Sequence, residues 1–198
     1  MAEYYLDIET AHKNKEDINS KDKSKVDANL NPETGKIVTI QFQQLDTVTG
    51  RQLGELEILK EWDSSEKDIV ENFGKLFLSG HNDGFIPIGM NLGFEFKLLI
   101  SKFKEHLAKD INPFHLFYVR KFIDIKPILV IANGGGFQGC NLHNFTGKDP
   151  DGWKVPRWYY DDEHDKITDY VIKEAEEFIK LYKLLKNKIP EFLKPVKV

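Results

Sequence analysis

With 198 residues, the chain is long enough for one large domain and short for two. Its apolar fraction of 40% and charged fraction of 30% are those of an ordinary soluble globular protein, and no run is apolar enough to span a membrane. The net charge of −4 argues against avid, non-specific duplex binding. A single cysteine, Cys140, excludes an internal disulfide and, with six scattered histidines, a Cys/His zinc site. The N-terminus shows no basic and apolar leader, so a reducing, intracellular (cytoplasmic) setting is the expectation.

Residues 3–9 form a short apolar strand within the segment Tyr4-Tyr5-Leu6-Asp7-Ile8-Glu9-Thr10 and the Glu3 before it. A polar stretch at about 11–35 follows, with five lysines interspersed with acids, and reads as a mobile, solvated loop. Residues 36–43 alternate apolar and polar positions as a second strand, and 52–60 after a turn at 46–50 form a third, giving an antiparallel meander. Ser65 and Asp68 have capping-box spacing at the head of a helix to about Leu78. A short strand at 85–90, a helix from Phe94 to about Leu107 and a strand near 119–124 come next. Residues 133–164 are loop-rich, and a last helix runs from about Asp165 to Lys188, ended by Pro190. Together they predict an α/β fold: a mixed sheet, three strands antiparallel and the rest parallel, flanked by helices in one domain over 1–198.

The chemistry begins on the first strand. Asp7 and Glu9, two apart, point to one face, where like charges repel and are costly to bury. A hard divalent cation is the usual remedy, and an edge strand with its polar face in water is the alternative. Glu95 falls in the first turn of a helix, where the helix dipole alone favours an acid. Tyr170 and Glu174, spaced i and i+4, share a helix face that solvent alone would explain.

Taken in order, Tyr5-Leu6-Asp7-Ile8-Glu9-Thr10, then Gly89-Met90-Asn91-Leu92-Gly93-Phe94-Glu95, then Tyr170-Val171-Ile172-Lys173-Glu174-Ala175, the chain resembles the DEDD (DnaQ-like) superfamily of 3′–5′ exonucleases. It is most similar to the tyrosine-bearing branch, as in the proofreading domain of family B DNA polymerases. The resemblance implies an RNase H-like fold and a hydrolase that removes nucleotides from the 3′ end of single-stranded DNA or RNA. It implies two cations, Mg²⁺ or Mn²⁺. Asp7 would bridge them, Glu9 and Glu174 would complete one site, and Glu95 would serve the other. Tyr170 would orient water, while Thr10 and Asn91 would contact the terminal nucleotide. Replication or repair proteins are the candidate partners. Two departures stand out: the family carries Asp where this chain has Glu95 and Glu174, and one extra methylene displaces each carboxylate in a geometry Mg²⁺ holds tightly. A catalytically weakened nucleic-acid-binding module is therefore the alternative. The third motif has a rival register, His164 with Asp169, spaced as in the histidine-bearing branch.

Two segments compete for attention. Residues 134–139 match a G-x-G-x-x-G dinucleotide pattern after the apolar run 128–131. The crossover that the pattern requires has no room before Gly147 and Pro150, which favours a loop. Residues 153–160 interleave Trp and Tyr with Lys and Arg, suiting either a single-strand contact or a loop packed on the core.

Overall fold

The computed structural model describes residues 2–79, 84–147 and 150–192. In chain order its principal elements are β1 (Glu3–His12), α1 (Lys23–Val26), β2 (Gly35–Leu45), β3 (Glu57–Lys60), α2 (Glu66–Phe77), β4 (Ile86–Gly89) and α3 (Leu92–Leu107). They are followed by β5 (Ile123–Asp124), α4 (Lys126–Ala132), α5 (Leu142–Thr146), α6 (Val155–Tyr160) and α7 (His164–Phe192).

The sheet has the strand order β3-β2-β1-β4-β5. The first three strands pair antiparallel, while β4 joins β1, and β5 joins β4, in parallel. The central strand β1 alternates its side chains between two different layers. Leu6 and Ile8 enter a core of Phe73, Phe77, Phe96 and Phe103 from α2 and α3. Tyr5, on the other face, joins Phe178 and Tyr182 of α7. α7 presents Ile167, Val171, Ala175, Phe178 and Tyr182 at helical spacing, and these residues are buried.

A bulge interrupts the β1–β2 ladder. Glu9 pairs with Thr39 but Thr10 pairs with Ile37, so Val38 is the extra residue on β2. Val38 is fully buried in a small cluster with Ala11, Val155 and Val171. The Ile37 N–H at the bulge donates to Glu66 Oε1 at 2.7 Å, a side chain supplying the acceptor that the ladder does not.

Several expectations need correction. The 11–35 stretch is built as helical turns, Lys15–Asn19, α1 and Asp27–Leu30, with His12 Nε2 2.8 Å from the Val26 carbonyl. The third strand is only four residues long. Upstream of it only the Leu45–Gln52 bridge remains, and the Gly54 carbonyl accepts from the Gln43 side chain instead of a ladder partner. In the 133–164 stretch, of which 148 and 149 lie outside the described residues, α5 and α6 are helical. His164 is the first residue of α7 rather than a residue before it. Pro190 does not end α7, which continues to Phe192; so close to the terminus the ring forfeits only one backbone bond. The apolar run 128–131 lies in α4, which begins with Pro127 in its first turn. The glycine loop thus follows a helix, not the strand a dinucleotide fold needs.

Candidate active site

The polar end of the α7 face is where β1 and α7, distant in sequence, meet. Asp7 and Glu9 reach it from β1, two residues apart on one side of the strand. Glu174 reaches it from the second turn after the start of the α7 contact face. Ligand-type oxygens of Asp7, Glu9 and Glu174 all lie within 4.8 Å of one another. The extra methylene of Glu174 does not keep its carboxylate out of the group.

β2 holds this group from behind. Gln41 stands opposite Asp7 in the ladder and donates from Nε2 to Asp7 Oδ2 at 2.6 Å. Thr39, opposite Glu9, donates from Oγ1 to Gln41 Oε1 at 2.9 Å. Both side chains are fully buried. The relay fixes which way the Gln41 amide faces, and so which Asp7 oxygen is held. Neither residue was singled out from the sequence. The signal was there, since Thr39, Gln41 and Gln43 are polar at alternate positions of a central strand.

Glu95 comes from the first turn of α3 and is 4% exposed. Its Oε2 is buried and has no hydrogen-bond partner among the described residues. Burial pushes its carboxyl well above the usual range, and the charge of Asp7 adds to this. Glu95 therefore shares the field of the group but lies outside the three-carboxylate set. The strand-to-helix turn that aims it is tightly built. A Cβ on Gly89 would lie 2.5 Å from Leu92 Cδ2 and 2.8 Å from the Leu6 carbonyl oxygen, so only glycine fits. Asn91 follows in a left-handed conformation at φ 71°, its N–H donating to Asp124 Oδ1 at 2.9 Å.

The Tyr170 hydroxyl is hydrogen-bonded to Glu174, and its ionisation is pushed far up by burial first and then by the charges of Glu9 and Glu174. Tyr5 is pushed up in the same way, by burial and then Asp7. A Cβ on Gly152 would sit 2.7 Å from the Tyr170 hydroxyl, so this glycine makes room for it.

Asp7, Tyr170 and Glu174 open on a cleft of about 470 Å³. Asn91 lines it; Thr10 is buried at the bulge and does not. Its other walls carry Lys126, His143 and Trp153, none of which was singled out as a site residue. The rival third-motif pair lies elsewhere. His164 stacks on Trp62 with ring centroids 4.5 Å apart. Asp169 lines a separate groove with Lys166 and Lys173 on the outer side of Tyr170. The aromatic segment splits its roles. Trp158 packs on Tyr170 at 6.1 Å, Tyr159 donates to Glu61, and Tyr160 donates to the His12 carbonyl, leaving Trp153 to the cleft.

The chain was compared with known proteins. No protein-family model matches it, and no curated protein matches it by sequence. Among solved structures it is similar to E. coli exonuclease I in complex with a dT13 oligonucleotide, with a TM-score of 0.58 and 13% identity over 96% of this chain. Exonuclease I with the inhibitor BCBP matches at 0.58 and 11%, covering 96% of this chain. The zinc-bound form of the E. coli enzyme with single-stranded DNA matches at 0.58 and 12%, also over 96% of this chain. The chain spans 41–42% of the length of those proteins. At this identity the likeness shows the fold, and the fold is RNase H-like, a mixed sheet flanked by helices.

Proposed function

We propose that the protein is a metal-dependent 3′–5′ exonuclease acting on single-stranded nucleic acid, a DEDD-superfamily enzyme of the tyrosine-bearing branch. The observation that carries this reading is the convergence of Asp7, Glu9 and Glu174 within 4.8 Å, with Glu95 buried beside them, on an exonuclease-like fold. The donor set fits hard divalent cations. It is all oxygen, it is negatively charged, and the buried Oε2 of Glu95 has no hydrogen-bond donor among the described residues. Asp7, Glu9 and Glu174 would hold one ion, and Asp7 with Glu95 a second; Mg²⁺ and Mn²⁺ are the candidates. Bound there, such ions supply charge against the phosphodiester and lower the pKa of a bound water.

The chain's own residues do the rest. Gln41 locks the orientation of Asp7 by holding Oδ2. Tyr170, its ionisation pushed up by burial and by the neighbouring carboxylates, offers a hydroxyl to orient an attacking water. Preference for Tyr170 and Glu174 over His164 and Asp169 rests on the stacking of His164 against Trp62, outside the carboxylate group. Single-stranded DNA or RNA is the proposed substrate, replication or repair proteins are the proposed partners, and the lone cysteine supports an intracellular setting. The weakened binding module is the second reading, favoured by one observation: Glu95 stays outside the three-carboxylate set.

The test is degradation of a 5′-labelled single-stranded oligonucleotide with Mg²⁺, Mn²⁺ or EDTA, beside Asp7→Ala. A metal-dependent ladder shortening from the 3′ end, reduced by about 10³-fold or more in Asp7→Ala, is expected. No cleavage by the unaltered protein, with oligonucleotide binding intact, supports the binding module instead.

A further inference from the structure

We infer that Trp153 is a stacking platform for a base of the strand entering the cleft, and that it accounts for single-strand preference. Of the three tryptophans, Trp62 stacks on His164 and Trp158 packs on Tyr170, whereas Trp153 is 74% exposed. Exposure alone says little, since large apolar side chains elsewhere on the surface, Tyr118, Ile131 and Phe137 among them, are as exposed; what sets Trp153 apart is its position. It stands in the wall of the cleft that Asp7, Tyr170 and Glu174 floor.

Its mount is rigid. Trp153 lies in the helical turn Gly152–Lys154, which leads straight into α6, and α6 begins with the buried Val155 and Pro156. Lys154 is pinned by Asp151 at 2.7 Å, and its ammonium lies 5.6 Å from the Trp153 ring. Gly152, the residue before, abuts the Tyr170 hydroxyl, so the indole is set at a defined offset from the carboxylates.

The charges around it identify the ligand class. Lys126 and His143 line the same cleft as Asp7 and Glu174 and offer donors for a phosphate. Donor, aromatic and carboxylate side chains lining one cleft suit a nucleotide, with donors and metal-binding carboxylates for the phosphate and the indole for the base. Every base has a π-face, so this contact is indifferent to sequence. A paired and stacked base cannot offer that face, which makes the contact selective for single strands. The inference deepens the exonuclease reading and rests on it for the direction of the strand only.

Intrinsic fluorescence titrated with a short oligothymidylate in EDTA tests it without cleavage. Quenching is expected for the unaltered protein and its loss in Trp153→Ala, with binding weaker by roughly 5- to 150-fold. Trp153→Phe, which keeps a ring and so guards against a folding artefact, should retain most of the affinity. A strand whose 3′-terminal sugars lack bases should bind the unaltered protein and Trp153→Ala equally. Equal quenching and affinity in Trp153→Ala and the unaltered protein would overturn the inference. The two readings fail separately. Trp153-dependent binding without cleavage sinks the nuclease and leaves the platform. Cleavage with Trp153-independent binding sinks the platform alone.

Discussion

Among the described residues two clusters of acidic side chains stand out, and they differ in what surrounds them. Asp7, Glu9 and Glu174 form one; Glu66 and Glu105, with His106, form the other, and by distance alone either qualifies as a cation site. In the second, Lys102 is fully buried and its ammonium sits 3.1 Å from Glu66 and 2.9 Å from Glu105. Lys13 reaches Glu105 from the 11–35 stretch, and His106 lies 3.2 Å from Glu66. Glu66 also accepts the bulge N–H of Ile37. That cluster is balanced and belongs to the scaffold. The first takes hydrogen bonds from the Gln41 amide and the Tyr170 hydroxyl, and burial, with the cluster's charge adding to it, raises the ionisation of Tyr5, Tyr170 and Glu95. Proximity of carboxylates is common to both; what singles out the candidate site is the perturbed ionisation of the groups around it and the cleft onto which it opens.

Removing a charge should therefore act in opposite directions in the two places. Lys102→Met leaves the half-buried Glu66 beside Glu105 without the buried cation that bridges them. We expect a loss of about 3–5 kcal/mol in urea unfolding, and a much smaller loss would show that water, not Lys102, balances the cluster.

In the site, Gln41→Leu removes the donor that holds Asp7 Oδ2. The concentration of Mn²⁺ needed for half-maximal thermal stabilisation should rise by about 10- to 100-fold, the usual effect of deleting a supporting partner. An unchanged metal titration would show that the strand alone orients Asp7.

Glu95→Gln should raise the melting temperature of the metal-free protein at neutral pH by a few degrees while diminishing the stabilisation that Mg²⁺ or Mn²⁺ provides. The same group sets a pH dependence. Its folded-state pKa lies above the value of 4.5 it would have when exposed, so the folded protein binds the extra proton. Stability of the metal-free protein should fall as pH rises from near 4.5 through the folded-state value. Melting curves in EDTA across that range should show the slope, and Glu95→Gln should flatten it. The smallest effect belongs to Lys13→Ala, where an exposed ion pair with Glu105 is lost and less than about 1 kcal/mol should change.

What was legible in the chain was what local periodicity carries. Asp7 and Glu9 share a face because strand side chains alternate, and Tyr170 and Glu174 because helix positions four apart align. Ser65 caps α2 at the Asp68 N–H, as their spacing indicated. Gln41 was not legible in the same way, because its role depends on which strand lies beside β1 and in what register. The helices α5 and α6 escaped because five or six residues have little helical preference of their own. They are held by tertiary burial of Leu142, Val155 and Pro156. Trp153 was part of a noticed segment, but only the fold separates it from Trp158, Tyr159 and Tyr160, which pack inward.

The single-residue bulge at Val38 makes the length of β2 part of the chemistry. It lets Val38 and Thr39, adjacent in sequence, serve the same side of the sheet, one sealing a dry patch with Ala11 and the other propping Gln41. Excising Val38 would restore an even ladder and advance one half of the strand by a single step. Every side chain in that half would then exchange faces, either presenting Gln41 to the phenylalanine core or Ile37 to the carboxylates. Such a strand tolerates substitutions far better than changes in its residue count. A one-residue gap or insertion between 36 and 41 should accordingly be the rarest kind of change among descendants that keep the site.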